Sequence, residues 1–119
     1  MEIRYANNKV KAQCTSLKAA ENLFGGNKNL ALSLHARINA IEQAPVIKEI
    51  ILMPQFHFHK LKGRMKNYFA VDVKSRRDKW RIIFYPIKEN GEEYYPCNID
   101  EIASVVTIVE ILEVSAHYE

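Results

Sequence analysis

The period of the hydrophobic positions changes midway along the chain. In the first part Val10, Cys14, Leu17 and Phe24 recur at intervals of four, three and seven, which is the spacing of one helical face. Ala19 and Ala20 add helix propensity. Gly25-Gly26 ends that helix, because glycine takes the left-handed backbone without a Cβ clash. A second stripe of Leu30, Leu34, Ile38 and Ile41 predicts another helix, with Asn27 or Asn29 as its cap and Pro45 as its stop. Two helices with a short joint make an antiparallel hairpin. Ahead of them Ile3 and Tyr5 fit a short strand.

The second half alternates with period two. Gln55 to Leu61 alternates loosely up to Gly63 and reads as a strand. From Asn67 to Lys74, Phe69, Val71 and Val73 share one face and Tyr68, Ala70 and Asp72 the other. From Lys79 to Ile87, Trp80, Ile82 and Phe84 oppose Arg81, Ile83 and Tyr85, and Pro86 limits the pairing. Ser75-Arg76-Arg77-Asp78 between these runs is polar and of hairpin length. Asn90-Gly91 marks a turn, Asn98 to Ile102 fits one helical turn, and Val105 to Val114 is apolar and β-branched enough for a strand covered on both faces. The predicted order is β-α-α-β-β-β-β. It describes an α+β fold in which an N-terminal strand and a two-helix hairpin pack on a twisted, mostly antiparallel sheet.

Composition sets the scale. The 119 residues are 48% hydrophobic and 26% charged, as in an ordinary globular domain, and residues 1–119 read as one such domain. Folding would bury about two thirds of the chain's surface, enough for a core without staples. Cys14 and Cys97 make no disulfide framework and read as reduced cytoplasmic thiols. The first residues lack the basic and apolar regions of a signal peptide, and no apolar run reaches the roughly 18 residues of a membrane span. A membrane protein, a secreted mini-protein and a multidomain enzyme are all disfavoured.

The net charge of +3 conceals a marked asymmetry. From His57 to Arg81 nine Lys and Arg face only Asp72 and Asp78, whereas Glu89 to Glu119 holds eight acidic residues and no Lys or Arg. A basic middle segment suits a polyanion. A solvated basic face without a ligand is the competing reading.

Three groups of residues offer chemistry. His57 and His59 would share one face of a strand, followed by Lys60, Lys62 and Arg64. Histidine titrates near working pH and suits proton transfer; two half-exposed strand histidines without a role are the alternative. A metal reading lacks further ligands at a recognised spacing. Arg76 and Arg77 lie in a hairpin, and Arg81 on the next strand is aimed by Trp80 and Ile82. Its planar fork matches phosphate, although a structural pair with a neighbouring carboxylate would also explain it. His117 and Tyr118 close the chain, with one titratable ring and one ring able to stack on a base; a frayed tail is the alternative. There is no G-x-G-x-x-G, P-loop or C-x-x-C, and Cys14 lies on the helical stripe, as a core residue would.

Three motifs stand in order: His59-Lys60-Leu61-Lys62-Gly63-Arg64-Met65-Lys66-Asn67-Tyr68, then Lys79-Trp80-Arg81-Ile82-Ile83-Phe84, then Ile108 to Val114 with a terminal His117-Tyr118. Together they resemble the HigB branch of the RelE/ParE toxin superfamily, the plasmid-maintenance killer proteins. The likeness covers Phe58 to the end; the first half agrees in element order and size. The resemblance implies a RelE-like fold and a cytoplasmic toxin of a type II toxin-antitoxin system. Its activity would be ribosome-dependent, metal-independent cleavage of mRNA in the A site, with no cofactor. It implies His59, Arg81, His117 and Tyr118 as catalytic residues. Lys60, Lys62, Arg64, Lys66, Arg76 and Arg77 would be the RNA- and ribosome-binding residues. It further implies mRNA on the 30S subunit and a helix-turn-helix antitoxin of the HigA type as partners. Operator DNA would be reached only through that antitoxin, and no membrane is involved. Ala116 stands where the family's closing triplet has an aspartate, and the His-Tyr order is reversed from the commoner one. A non-cleaving binding module, including a ParE-like inhibitor of DNA gyrase, is the alternative on the same fold.

Overall fold

The computed structural model describes residues 1–116. The chain runs β1 (Glu2–Tyr5), α1 (Asn8–Thr15), α2 (Leu17–Leu23), α3 (Lys28–Gln43), α4 (Ile47–Ile51), β2 (His59–Lys60), β3 (Phe69–Asp72), β4 (Arg81–Pro86), α5 (Ile99–Ile102) and β5 (Ile108–Ser115), with short 3-10 turns at Pro54–Phe56 and Gly63–Met65. The five strands form one mixed sheet in the order β1-β5-β4-β3-β2. Only the β1–β5 pair is parallel; the other pairs are antiparallel. The α+β architecture expected from the sequence is therefore present. No described helix is long and apolar enough to cross a membrane.

Helix boundaries follow local chemistry. The side chain of Asn7 accepts the Val10 N–H at the start of α1, Ser16 accepts the Ala19 N–H at the start of α2, and Asn27 accepts the Leu30 N–H at the start of α3. At the end of α2 the Gly26 N–H donates to Glu21 and the Gly25 N–H to Asn22. Both glycines are left-handed, with φ of 63° and 89°, so the helix closes in a Schellman motif. Pro45 follows α3, whose end is marked by an extended Ala44.

The first predicted helix is divided in two. Ser16 is extended (φ −116°, ψ 121°), and its hydroxyl serves the helix that follows it. Leu17, read as core, is consequently exposed, and Ala20 is buried in its place. The short α4 adds to the expected hairpin: Ile47 and Ile50 go into the core, and the Ile47 and Lys48 N–H groups donate to Val106 and Ala103. The strand expected over Gln55 to Leu61 shrinks to His59–Lys60. Pro54 starts a 3-10 turn, and His57 takes a left-handed backbone (φ 48°), which no strand accommodates.

Alternation on β3 and β4 sorts the side chains as their sequence suggests. Phe69, Val71, Val73, Ile82 and Phe84 join Leu34, Ile38, Ile41, Val109 and Ile111 in the main core between sheet and helices. Each fully buried side chain of this size contributes about 1.5–3 kcal/mol. The other face carries a smaller cluster of Leu61, Ala70 and Ile83, flanked by Met65, Tyr68 and Leu112. Along β5 the register slips: Ile83 pairs with Glu113 but Phe84 with Ile111, leaving Leu112 as the extra residue of a bulge. Arg81 and Asp72 lie beyond this smaller cluster, on the sheet face turned away from the helices.

Candidate active site on the open sheet face

Arg81 and Asp72 are cross-strand partners at the ends of β4 and β3. Both are buried, with relative exposures of 7% and 1%. Nε of Arg81 lies 3.1 Å from Oδ1 of Asp72, but the N–H is not aimed along a lone pair and no aligned hydrogen bond forms. Nη1 donates to the carbonyls of Asp78 at 3.0 Å and Trp80 at 2.8 Å. The guanidinium is thus aimed by its strand, as the sequence suggests, while part of its charge and donor capacity is engaged within the protein. Ser115 of β5 flanks it on the other side.

His57, His59, Arg76 and Arg81 line a recess of about 300 Å³. His59 reaches it because it pairs with Ala70, whose side chain belongs to the open face. His57 arrives differently from the expectation of a shared strand face: its left-handed backbone turns it there, and the two rings lie 5.2 Å apart, tilted by 42°. Nδ1 of His59 is 2.9 Å from the His57 carbonyl. A carbonyl only accepts, so Nδ1 carries the hydrogen; in the neutral ring Nε2 is left with the lone pair. That Nε2 is buried and has no hydrogen-bond partner among the described residues, an arrangement that a proton acceptor could use once the atom is uncovered.

The hairpin between β3 and β4 divides its two arginines. Asp78 organises the turn, with Oδ2 accepting the Ser75 N–H at 2.9 Å and Oδ1 accepting the Trp80 N–H at 3.0 Å. Arg76 emerges toward the histidines, whereas Arg77 lines a separate groove with Asn27, Leu30 and Lys74. The remaining basic residues are outside the recess. Lys62, Arg64 and Lys66 are exposed on and beside the Gly63–Met65 turn. Lys60 points elsewhere and faces Asp100, with Nζ 3.5 Å from Oδ2 in an exposed pair of little energetic weight. His117 and Tyr118 lie outside the described residues.

Two participants were not assigned to the site from the sequence. Asp72 left a signal, as the lone acid in an otherwise apolar strand opposite Arg81. It faces that arginine across the paired strands. Arg37 left none beyond its position beside the α3 stripe; its guanidinium bonds backbone carbonyls at the edge of the site. The thiols offer no nucleophile here. Burial pushes the Cys14 thiol up to about 12, and Cys97 is also raised, by burial first and then by Glu93.

No protein-family model matches this chain, and no curated protein does either. Among solved structures, a YoeB/ParE toxin from Agrobacterium tumefaciens superposes with a TM-score of 0.52. The match covers 99% of this chain and 100% of that one, at 13% sequence identity. Likeness at that identity establishes a shared fold over the full length of both chains and leaves the chemistry to the site.

Proposed function

We propose that this chain is the toxin of a type II toxin-antitoxin pair, and that it cleaves mRNA on the ribosome as a HigB-type endoribonuclease. The observation that carries the reading is the convergence of His59, Arg76 and Arg81 on one recess, on a fold shared with a YoeB/ParE toxin.

In such a reaction the RNA's own 2′-hydroxyl attacks the adjacent phosphorus. A base takes the hydroxyl proton, an acid protonates the departing 5′-oxygen, and cations stabilise the crowded phosphorane. His59 supplies the base through Nε2, held in the correct tautomer by the His57 carbonyl. That atom is covered in the free protein, so substrate has to part its cover before the proton moves. Arg76, exposed at the rim, pairs with a phosphate oxygen. Arg81 stabilises the phosphorane from the floor. His117 and Tyr118 are assigned by the family likeness to acid transfer and base stacking. Lys60, Lys62, Arg64, Lys66 and Arg77 lie outside the recess and serve the longer path of mRNA and ribosomal RNA. The partners are the 30S subunit with its mRNA and a helix-turn-helix antitoxin of the HigA type, through which operator DNA is reached. The compartment is the cytoplasm.

A second reading has its own observation. Arg81 spends Nε against Asp72 and Nη1 on two carbonyls, as a purely structural arginine would. A non-cleaving toxin-like module, such as a ParE-like gyrase inhibitor, needs no free catalytic cation at that position.

Primer extension on mRNA with and without programmed ribosomes separates the two. The interferase reading expects cuts inside codons that require ribosomes and disappear in His59→Ala and Arg81→Ala proteins of native circular dichroism. Absence of cuts, with trapped gyrase–DNA cleavage complexes in their place, would establish the second reading.

A further inference from the structure

One arginine of α3 reaches the end of the sheet. Arg37 donates through Nε to the Asp72 carbonyl at 3.1 Å, and through Nη2 to the carbonyls of Gln55 at 3.0 Å and Lys74 at 3.1 Å. Its guanidinium carbon lies 4.6 Å from the centre of the buried Phe56 ring. Burial lowers its pKa, against the opposing pull of Asp72 and then Asp78, and the group still holds its charge.

These partners fall into two sets. Gln55 and Phe56 directly precede His57 and His59. Asp72 and Lys74 mark the end of β3, where the Asp72 carboxylate stands against Arg81. The pairing between the sets is short: β2 and β3 pair through His59 with Ala70 and Lys60 with Phe69, the Leu61 N–H donates to the Tyr68 carbonyl, and the Phe58 ring stacks on Phe69 from the core side. The segment between Gln55 and β2 leaves its 3-10 turn through the left-handed His57, so the two histidines are not carried by a continuous strand. Arg37 does not line the recess itself. It bridges the two walls from behind, and its planar fork can serve three carbonyls at once, which a lysine ammonium cannot do in the same geometry.

We propose that Arg37 is a positioning residue that fixes the His57–His59 wall of the recess against the Asp72–Arg81 wall. The inference rests on the reading of the recess as an RNA-cleavage site. In that reading a displacement of about 1 Å between base and cation is worth about 100-fold in rate.

The test compares wild type, Arg37→Ala and Arg37→Lys by single-turnover cleavage of mRNA on programmed ribosomes, and by ¹⁵N NMR of the His59 ring. Arg37→Ala should lose about 100-fold in cleavage rate while ribosome affinity stays within about twofold, since Arg37 has no place in the recess. Arg37→Lys should recover part of that loss. The His59 ring should shift from a single Nδ1–H tautomer toward a mixture in Arg37→Ala. Native rates with an unchanged ring spectrum would overturn the proposal. So would an equal rate loss in Asn27→Ala, which weakens the other end of α3 and leaves the recess alone. If Arg37→Ala does not fold, Arg37→Lys decides by the same readouts. If the wild type does not cleave, the cleavage reading fails, and the ring spectrum alone supports or overturns the positioning role.

Discussion

Nε of Arg81 and Oδ1 of Asp72 stand 3.1 Å apart between paired strands, with both side chains nearly out of water. Neither charge has solvent to fall back on. Removing one partner strands the other, and that is costlier than removing both. Asp72→Ala and Arg81→Met should each destabilise the fold by about 3–5 kcal/mol, and the double variant by clearly less than their sum. Urea unfolding of the four proteins measures the coupling. Additive losses would mean that the pair contributes no mutual stabilisation.

The hairpin makes a second, sharper comparison, because Arg76 and Arg77 are adjacent in sequence yet enter different grooves. Each phosphate contact to single-stranded RNA contributes about 0.7 to the slope of log affinity against log salt. Arg76→Ala should reduce that slope by about this amount and slow cleavage, while Arg77→Ala should leave the cleavage rate of bound RNA unchanged. A Lys62→Ala, Lys66→Ala double variant should flatten the slope further with a smaller effect on the chemical step. Equal losses of cleavage rate in the Arg76 and Arg77 variants would detach the recess from function.

Much of this arrangement was legible in the chain. The faces of β3 and β4 could be read from strict alternation, because a slip of one residue would have turned Ile82 and Phe84 outward. That same alternation placed Arg81 opposite the main core. The division at Ser16 was not legible, because the apolar spacing runs through it and the break depends on where one hydroxyl finds an N–H. His57 and His59 meet in the recess for a reason that alternation does not contain: a left-handed residue after a 3-10 turn. Arg37 stayed hidden since its partners are backbone carbonyls 18 to 37 residues away, and main-chain acceptors leave no mark in a sequence.

The caps that set the helix boundaries predict modest, separable effects. Asn27 accepts the Leu30 N–H at 3.1 Å, and Ser16 accepts the Ala19 N–H at 3.3 Å. Asn27→Ala and Ser16→Ala should each cost about 1 kcal/mol, with Ser16 the smaller because its contact is longer. Thermal unfolding of both variants tests the order. No loss in Ser16→Ala would show that packing alone maintains the break between α1 and α2.

Alkaline pH should destabilise the protein in part through the buried Cys14 of the first helix and the half-buried Tyr5 of the first strand. Cys14 is held up at about 12 from an ordinary 9.0, by burial. Tyr5 is held up at about 12 from 10.0, by burial first, then by Cys14 and Glu42. Both folded-state values lie above the unfolded ones, so the folded protein keeps protons that the unfolded chain releases. Stability from this source is intact below about pH 9 and falls as pH rises toward 12, by up to about 1.4 kcal/mol per pH unit for the buried Cys14 thiol and by less for the half-buried Tyr5, whose charge water screens. The Cys14 thiol contributes first, with the raised Cys97 thiol beside it, and Tyr5 joins above about pH 10 together with Tyr68 and Tyr85, whose hydroxyls are also raised by burial first. Cys14→Ala leaves a small void, so its absolute stability is no guide; the slope is. Urea unfolding between about pH 8 and 11 should show a shallower decline in Cys14→Ala from about pH 9 upward. A decline identical to wild type would place the alkaline sensitivity in groups other than Cys14.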